Sequence, residues 1–181
     1  MKKIDEFILK DGRVVDIVLP SMEDLQAITD FVNRLTDEDT FLTFTGKHIS
    51  IEMEKNWLEN TLTEIKFKKN YVIWAKDGDH IVGNANIIRG KSARDAHIGI
   101  VGLMVDKDYR RGGLGRYLLD NILVQGKKMK FKIAQLDVYD DNKAGINLYR
   151  RVGFHEYGRL PNGLYRKGKY SDKIEMYKEL K

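Results

Sequence analysis

The chain has 181 residues, 42% of them hydrophobic, with 32 Lys and Arg against 27 Asp and Glu and no cysteine. That length predicts one domain, spanning 1–181, that buries about two-thirds of the surface its extended chain would expose. The lack of cysteine excludes disulfides, thiolate metal sites and a cysteine nucleophile, and it suits a cytoplasmic location.

No apolar run approaches about 18 residues, so no membrane span is expected. The opening MKKIDEFILKDG carries lysines with no long apolar region behind them, which does not read as a signal peptide. The four histidines, His48, His80, His97 and His155, lack ligand spacing, so no metal is expected. The net charge of +5 is modest. Its densest run, Lys127-Lys128-Met129-Lys130-Phe131-Lys132, reads first as a solvated helix end and loop, with nucleic-acid binding the less favoured reading.

Residues 6–19 predict a hairpin: Phe7-Ile8-Leu9, a turn at Asp11-Gly12, then Val14 to Leu19. Pro20 ends the second strand and Ser21 can cap a helix whose buried face is Leu25, Ile28, Val32 and Leu35. An irregular stretch follows, with the acidic run Asp37-Glu38-Asp39 and the apolar Phe41, Leu42 and Phe44. Ser50 can cap a second helix to about Lys66, with Met53, Trp57, Leu58, Leu62 and Ile65 buried.

Tyr71–Ala75 and Ile81–Ile88 predict two strands, and His97–Val105 a third. In the third the apolar parity slips at Val101-Gly102, which predicts a β-bulge. Ile133–Tyr139 predicts a strand with Ala134, Leu136 and Val138 on one face and Gln135, Asp137 and Tyr139 on the other. Asn142 can cap a helix carrying Ala144, Leu148 and Val152, which Gly153 ends. Phe154–Leu160 and Lys173–Leu180 predict two closing strands, joined by a connection from Pro161-Asn162-Gly163 to Gly168.

The stretch Val101–Arg116, VGLMVDKDYRRGGLGR, is strand, glycine-rich loop, then helix, with Leu118, Leu119, Ile122 and Leu123 on one helical face. Glycines admit close approach of a ligand to the backbone, the first helical amides have no internal partner, and the helix dipole favours an anion. Arg110, Arg111 and Arg116 add positive charge. A P-loop would need Gly-Lys-Ser/Thr where Gly115-Arg116-Tyr117 stands, and a dinucleotide fingerprint would need Gly or Ala where Leu118 stands. The loop alone leaves two readings, a phosphate cradle or a bare basic turn.

Arg-x-x-Gly-x-Gly at Arg110–Gly115, followed by NKAGINLYRRVGF from Asn142 to Phe154, resembles the GCN5-related N-acetyltransferase (GNAT) superfamily. The resemblance implies its fold. That is an α/β (α+β) domain with a mixed, mostly antiparallel sheet of about seven strands, about four flanking helices, and one splayed strand pair. It also implies acetyl-coenzyme A as co-substrate. Arg110, Arg111, Gly112, Gly113, Leu114, Gly115 and Arg116 would hold its pyrophosphate, Leu103, Met104 and Val105 its pantetheine arm, and Asn142 and Tyr149 would face it. The activity implied is transfer of acetyl to a primary amine by direct attack, the acceptor being a small amine, a polyamine, or a protein N-terminal or lysine amine. The alternative is a non-catalytic acyl-coenzyme A-binding or sensor module.

For the chemistry, Tyr149 is the candidate to hydrogen-bond or protonate the leaving sulfur. Asp137, five residues before Asn142, stands where some relatives place a catalytic glutamate and is the candidate base. An ordinary carboxylate with a pKa near 4 is a weak base toward an ammonium with a pKa near 10. His97 is a further candidate on the preceding strand. Asp37, Glu38 and Asp39 would suit a cationic acceptor near the cleft. Homodimerisation is left open.

Overall fold

The computed structural model describes residues 2–38, 41, 47–166 and 168–181. Asp39, Leu42 and Phe44 of the irregular stretch lie outside the described residues. The elements run β1 (Lys2–Ile8), β2 (Val14–Leu19), α1 (Leu25–Asp37), α2 (Ile51–Lys66), β3 (Asn70–Asp77), β4 (His80–Arg89), β5 (Ile98–Val105), α3 (Leu114–Lys128), β6 (Ile133–Tyr139), α4 (Lys143–Val152), β7 (His155–Arg166) and β8 (Lys169–Glu179). The eight strands form one sheet in the order β1-β2-β3-β4-β5-β6-β8-β7, one strand more than expected. Every pairing is antiparallel except β5 with β6.

Two apolar layers sandwich the sheet. Ile28, Phe31 and Leu35 of α1 and Leu58 of α2 pack with Val72 and Trp74 on one face. Leu114, Leu118 and Ile122 of α3 and Ile146 of α4 pack with Ile73, Ala75 and Ala85 on the other. β3 therefore buries both its faces, which explains its unbroken apolar run.

Several expectations change in detail. β1 starts at Lys2 because it pairs as far as Leu19; its side chains are almost all exposed, so no alternation marks it. Ser21 caps a short 3₁₀ turn at Met22–Asp24, accepting from the Glu23 amide, rather than α1 itself. Ser50 does cap α2, accepting from the Met53 amide. The buried face of α2, however, is Glu54, Leu58 and Thr61, while Met53 and Trp57 are exposed. In α4 the buried residues are Ile146 and Val152, and Ala144 is exposed. Pro161-Asn162-Gly163 does not join two strands. It is a bulge within β7, which resumes at Leu164 opposite Ser171. β7 is an edge strand, where a proline removes no ladder hydrogen bond.

The β5 bulge is absent. β4 and β5 pair without a break from Gly83↔Val105 to Arg89↔Gly99. The splayed pair that the resemblance implies is β5 and β6, on the side of β5 away from β4. There the parallel pairing with β6 covers only Ile98↔Ile133 to Ile100↔Gln135. Gly102 has a steric role instead. A Cβ on it would lie 2.9 Å from the Asn86 side-chain amide, so a larger residue there would displace that side chain.

Candidate active site

Past Ile100, β5 and β6 diverge, leaving the backbone of 101–105 on that side without a strand partner. The divergence is filled from one face of the sheet by the start of α3 and by α4. These elements meet at Gly115. A Cβ built there would lie 3.5 Å from Leu148 of α4, 3.6 Å from Val105 and 3.8 Å from Leu103. The two sequence motifs, with the strand edge, therefore border one cleft.

The α3 N-terminus is uncapped. Gly113 at its cap has φ +96° and no side-chain hydrogen bond, and the first intrahelical bond is Tyr117 N–H to the Gly113 carbonyl at 3.1 Å. The amides of Leu114, Gly115 and Arg116 are thus free for an anion. Gly113 is fixed by its positive φ, and Arg111, two residues earlier, also sits at φ +63°. A non-glycine residue there costs about 1 kcal/mol, of the kind found at ligand clamps. The side chain of Arg111 is exposed and has no ion pair among the described residues.

The β1–β2 turn buttresses this loop, which sequence reading missed. The Lys10 amide donates to the Gly112 carbonyl at 3.3 Å, Arg13 donates to the Asp108 carbonyl at 2.7 Å, and a Cβ on Gly112 would strike Leu9 at 2.7 Å. Arg110 and Arg116 are both engaged. Arg116 reaches Asp120 at 3.4 Å. Arg110 donates to the Val105 carbonyl at 2.8 Å and to Glu38 at 2.5 Å.

Asn142 caps α4, its Oδ1 accepting from the Gly145 amide at 2.9 Å. About two turns further on, Tyr149 is half-buried against the Phe154 ring, 6.0 Å away. Its hydroxyl has no hydrogen-bond partner among the described residues, and burial pushes the phenol up to about 12. A phenol with that pKa stays protonated and is available as a donor.

Asp137 lies on the opposite sheet face from Leu136, exposed, with Lys173 at 3.4 Å. Lys173 also holds Glu175 at 2.9 Å. The acidic run is not a free negative patch where it is described: Asp37 pairs with His48 at 2.6 Å and Glu38 with Arg110. Beside the cleft, on the α1/α2 face, Asn86 donates to Asn84, which donates to the Ile73 carbonyl. Glu54 is a further residue that sequence reading missed. It is 4% exposed, burial raises its pKa, and its carboxyl group has no hydrogen-bond partner among the described residues. Its only signal was its place four residues before Leu58. Among the described residues no group of three His, Cys, Asp or Glu side chains could hold a metal, and no helix is long and apolar enough to cross a membrane.

A profile of the acetyltransferase (GNAT) family matches residues 32–154, from α1 through α4. The chain is 41% identical over 54 residues to the ribosomal protein bS18-alanine N-acetyltransferase of Escherichia coli (strain K12), a match covering 30% of this chain and 36% of that enzyme. An acetyltransferase of the GNAT family from Streptococcus pneumoniae superposes with a TM-score of 0.82 at 26% identity, over 91% of this chain and 99% of the other. A phosphinothricin acetyltransferase of Sinorhizobium meliloti, solved with acetyl-coenzyme A, shares the fold at a TM-score of 0.79 and 17% identity, over 92% and 88%. The chain belongs to the GNAT family of acetyltransferases.

Proposed function

We propose that this chain transfers the acetyl group of acetyl-coenzyme A to a primary amine by direct attack. The observation that carries the proposal is the meeting, around Gly115, of the uncapped α3 N-terminus, the unpaired edge of β5 and α4. The amides of Leu114, Gly115 and Arg116, with Gly112, Gly113 and the charges of Arg110 and Arg111, hold the pyrophosphate. The pantetheine arm lies along Leu103, Met104 and Val105 as an added strand, and a backbone N–H of that edge polarises the thioester carbonyl. The neutral amine nitrogen attacks that carbon, the C–N bond forms and the C–S bond breaks; the surplus proton on nitrogen passes to Asp137 or to water, and the thiolate takes the Tyr149 proton, which solvent replaces.

The acceptor class this site suits best is a protein N-terminal α-amine. Asp137 is the candidate base, but it is exposed and held by Lys173. An α-amine has a pKa near 7.7–8.0 against about 10.4 for lysine, so a large fraction is already neutral near pH 8 and little base strength is needed. The Escherichia coli relative, an alanine N-acetyltransferase of a ribosomal protein, agrees with this reading.

The test is release of coenzyme A thiol from acetyl-coenzyme A in the presence of peptides with free or blocked N-termini and of polyamines. The chain has no thiol of its own to react with the reagent. Thiol release and acetylation only with free N-termini is the expected result. Binding of acetyl-coenzyme A with no amine consumed identifies instead an acyl-coenzyme A-binding module.

A further inference from the structure

At the end of α3 away from the glycine loop, segments distant in sequence converge on a cleft of about 480 Å³. Its walls include Lys68 just past α2, Arg89 at the end of β4, and Lys128 and Lys130 at and past the end of α3, with Ile65, Tyr71 and Met129 between them. No carboxylate lines it. The nearby acids are already engaged: Glu64 with Lys69 at 3.2 Å, and Asp95 with the Ser92 amide at 2.7 Å. Lys66, Lys68, Lys127, Lys128, Lys130 and Lys132 form no ion pair among the described residues.

Helix dipoles account for lysines in the last turns of α2 and α3. They do not account for Lys68 and Lys130, which lie beyond the helices at φ +54° and +65°. Those are positions where glycine or asparagine is favoured, and a lysine is strained. Phe67, beside Lys68, is 69% exposed, with the Lys69 ammonium 5.8 Å from its ring. Arg89 is fixed in place by the Ala96 carbonyl at 2.8 Å and the Phe131 ring at 5.0 Å.

We infer that this cleft binds the sugar-phosphate backbone of a nucleic-acid strand. Unpaired cations meet the phosphates, and the exposed Phe67 ring offers a face for a base. The cations continue past the cleft along 127–132 and 66–69, further than a single phosphate group needs. The cleft is concave, with Ile65, Tyr71 and Met129 in its walls, which suits a strand better than a flat lipid surface. It is separate from the acetyl site by the length of α3, about 22 Å for 15 residues.

The experiment is fluorescence anisotropy with a labelled single-stranded RNA of about 16 nucleotides, repeated over a salt series, with DNA of equal length, ATP and phosphatidylserine vesicles as further arms. Wild type is compared with the double variant Lys68→Gly/Lys130→Gly and with Phe67→Ala. Both glycines relieve a positive φ, so the double variant keeps or raises its Tm while losing two cations. The expected result is salt-sensitive binding of RNA or DNA, weakened about tenfold or more in the double variant. Its log–log salt slope should be shallower by about 1.4, because two fewer phosphates of a single strand are neutralised. Phe67→Ala should weaken binding at unchanged Tm, and acetyl-coenzyme A binding should be the same in all three proteins. No strand binding at low salt, equal binding by wild type and the double variant, or binding of ATP or vesicles in place of the strand would each overturn the proposal.

Discussion

The guanidinium of Arg110 joins two parts of the molecule: its Nη2 meets Glu38 Oε2 at 2.5 Å, across 72 residues of sequence, while its Nε holds the Val105 carbonyl. The end of α1, the end of β5 and the glycine loop are thereby tied together beside the expected pyrophosphate position. Glu38 both orients Arg110 and opposes an incoming anion. Arg110→Ala is expected to weaken acetyl-coenzyme A about tenfold or more, because it removes a cation and leaves Glu38 uncompensated. Adding Glu38→Gln to that variant should recover part of the loss, measured as a double-mutant cycle by calorimetry at low salt. A double variant no better than Arg110→Ala alone would show that Glu38 does not act on the cofactor.

Gly115→Ala separates folding from binding. Nothing in the protein lies closer than 3.5 Å to a Cβ there, and alanine favours helix over glycine by up to about 1 kcal/mol. The variant should melt at the same or a higher temperature. Its acetyl-coenzyme A affinity should nonetheless fall, because the methyl group is added where α3, α4 and β5 meet, beside the proposed cofactor position. A lower Tm with unchanged affinity would place the cofactor elsewhere.

Tyr149→Phe removes a hydroxyl with no hydrogen-bond partner among the described residues, so stability should change by less than about 0.5 kcal/mol. If the phenol donates to the leaving thiolate, kcat should drop by roughly 10²-fold or more with little change in cofactor affinity. Its pKa near 12 lies above the ordinary 10.0, so the folded state holds that proton more tightly. The associated stability is complete below pH 10 and lost as pH rises toward 12. A kcat profile of the wild type should therefore show no fall from deprotonation of this group below about pH 10.

Glu54 follows the same sign of linkage as Tyr149, but in a lower pH window that neutral pH already exceeds. Burial raises its pKa from 4.5, so the ionised side chain is disfavoured in the folded protein. Stability linked to its protonated form is present below 4.5 and is lost as pH rises through the higher folded value. Glu54→Gln should thus raise Tm at neutral pH and have a smaller effect near pH 4, as scanned by calorimetry at the two pH values.

The sequence carried the two motifs and the order of elements because these are local: a glycine with positive φ, a capping Asn142, alternation along β6. It misled where packing chooses among neighbours. On α2, Trp57 and Met53 look like core, yet the helix turns Glu54, Leu58 and Thr61 inward. At Val101-Gly102 the change of apolar parity suggested an extra residue, whereas both faces of β5 are partly covered and Gly102 leaves room for the Asn86 side chain. The β1–β2 turn against Gly112, and the meeting of Lys68 with Lys130, join residues far apart in the chain and have no local signature.

Whether acetyl-coenzyme A occupies the cleft between β5 and β6 is tested most directly by melting temperature. The purified chain is melted with acetyl-coenzyme A, coenzyme A or ATP, as wild type and as Gly115→Ala. A ligand at about 100 times its Kd adds roughly 2.7 kcal/mol. The expected result is a clear upward shift with acetyl-coenzyme A, none with ATP, and a reduced shift in Gly115→Ala. No shift at millimolar acetyl-coenzyme A, or an equal shift in both proteins, would contradict a cofactor site in that cleft.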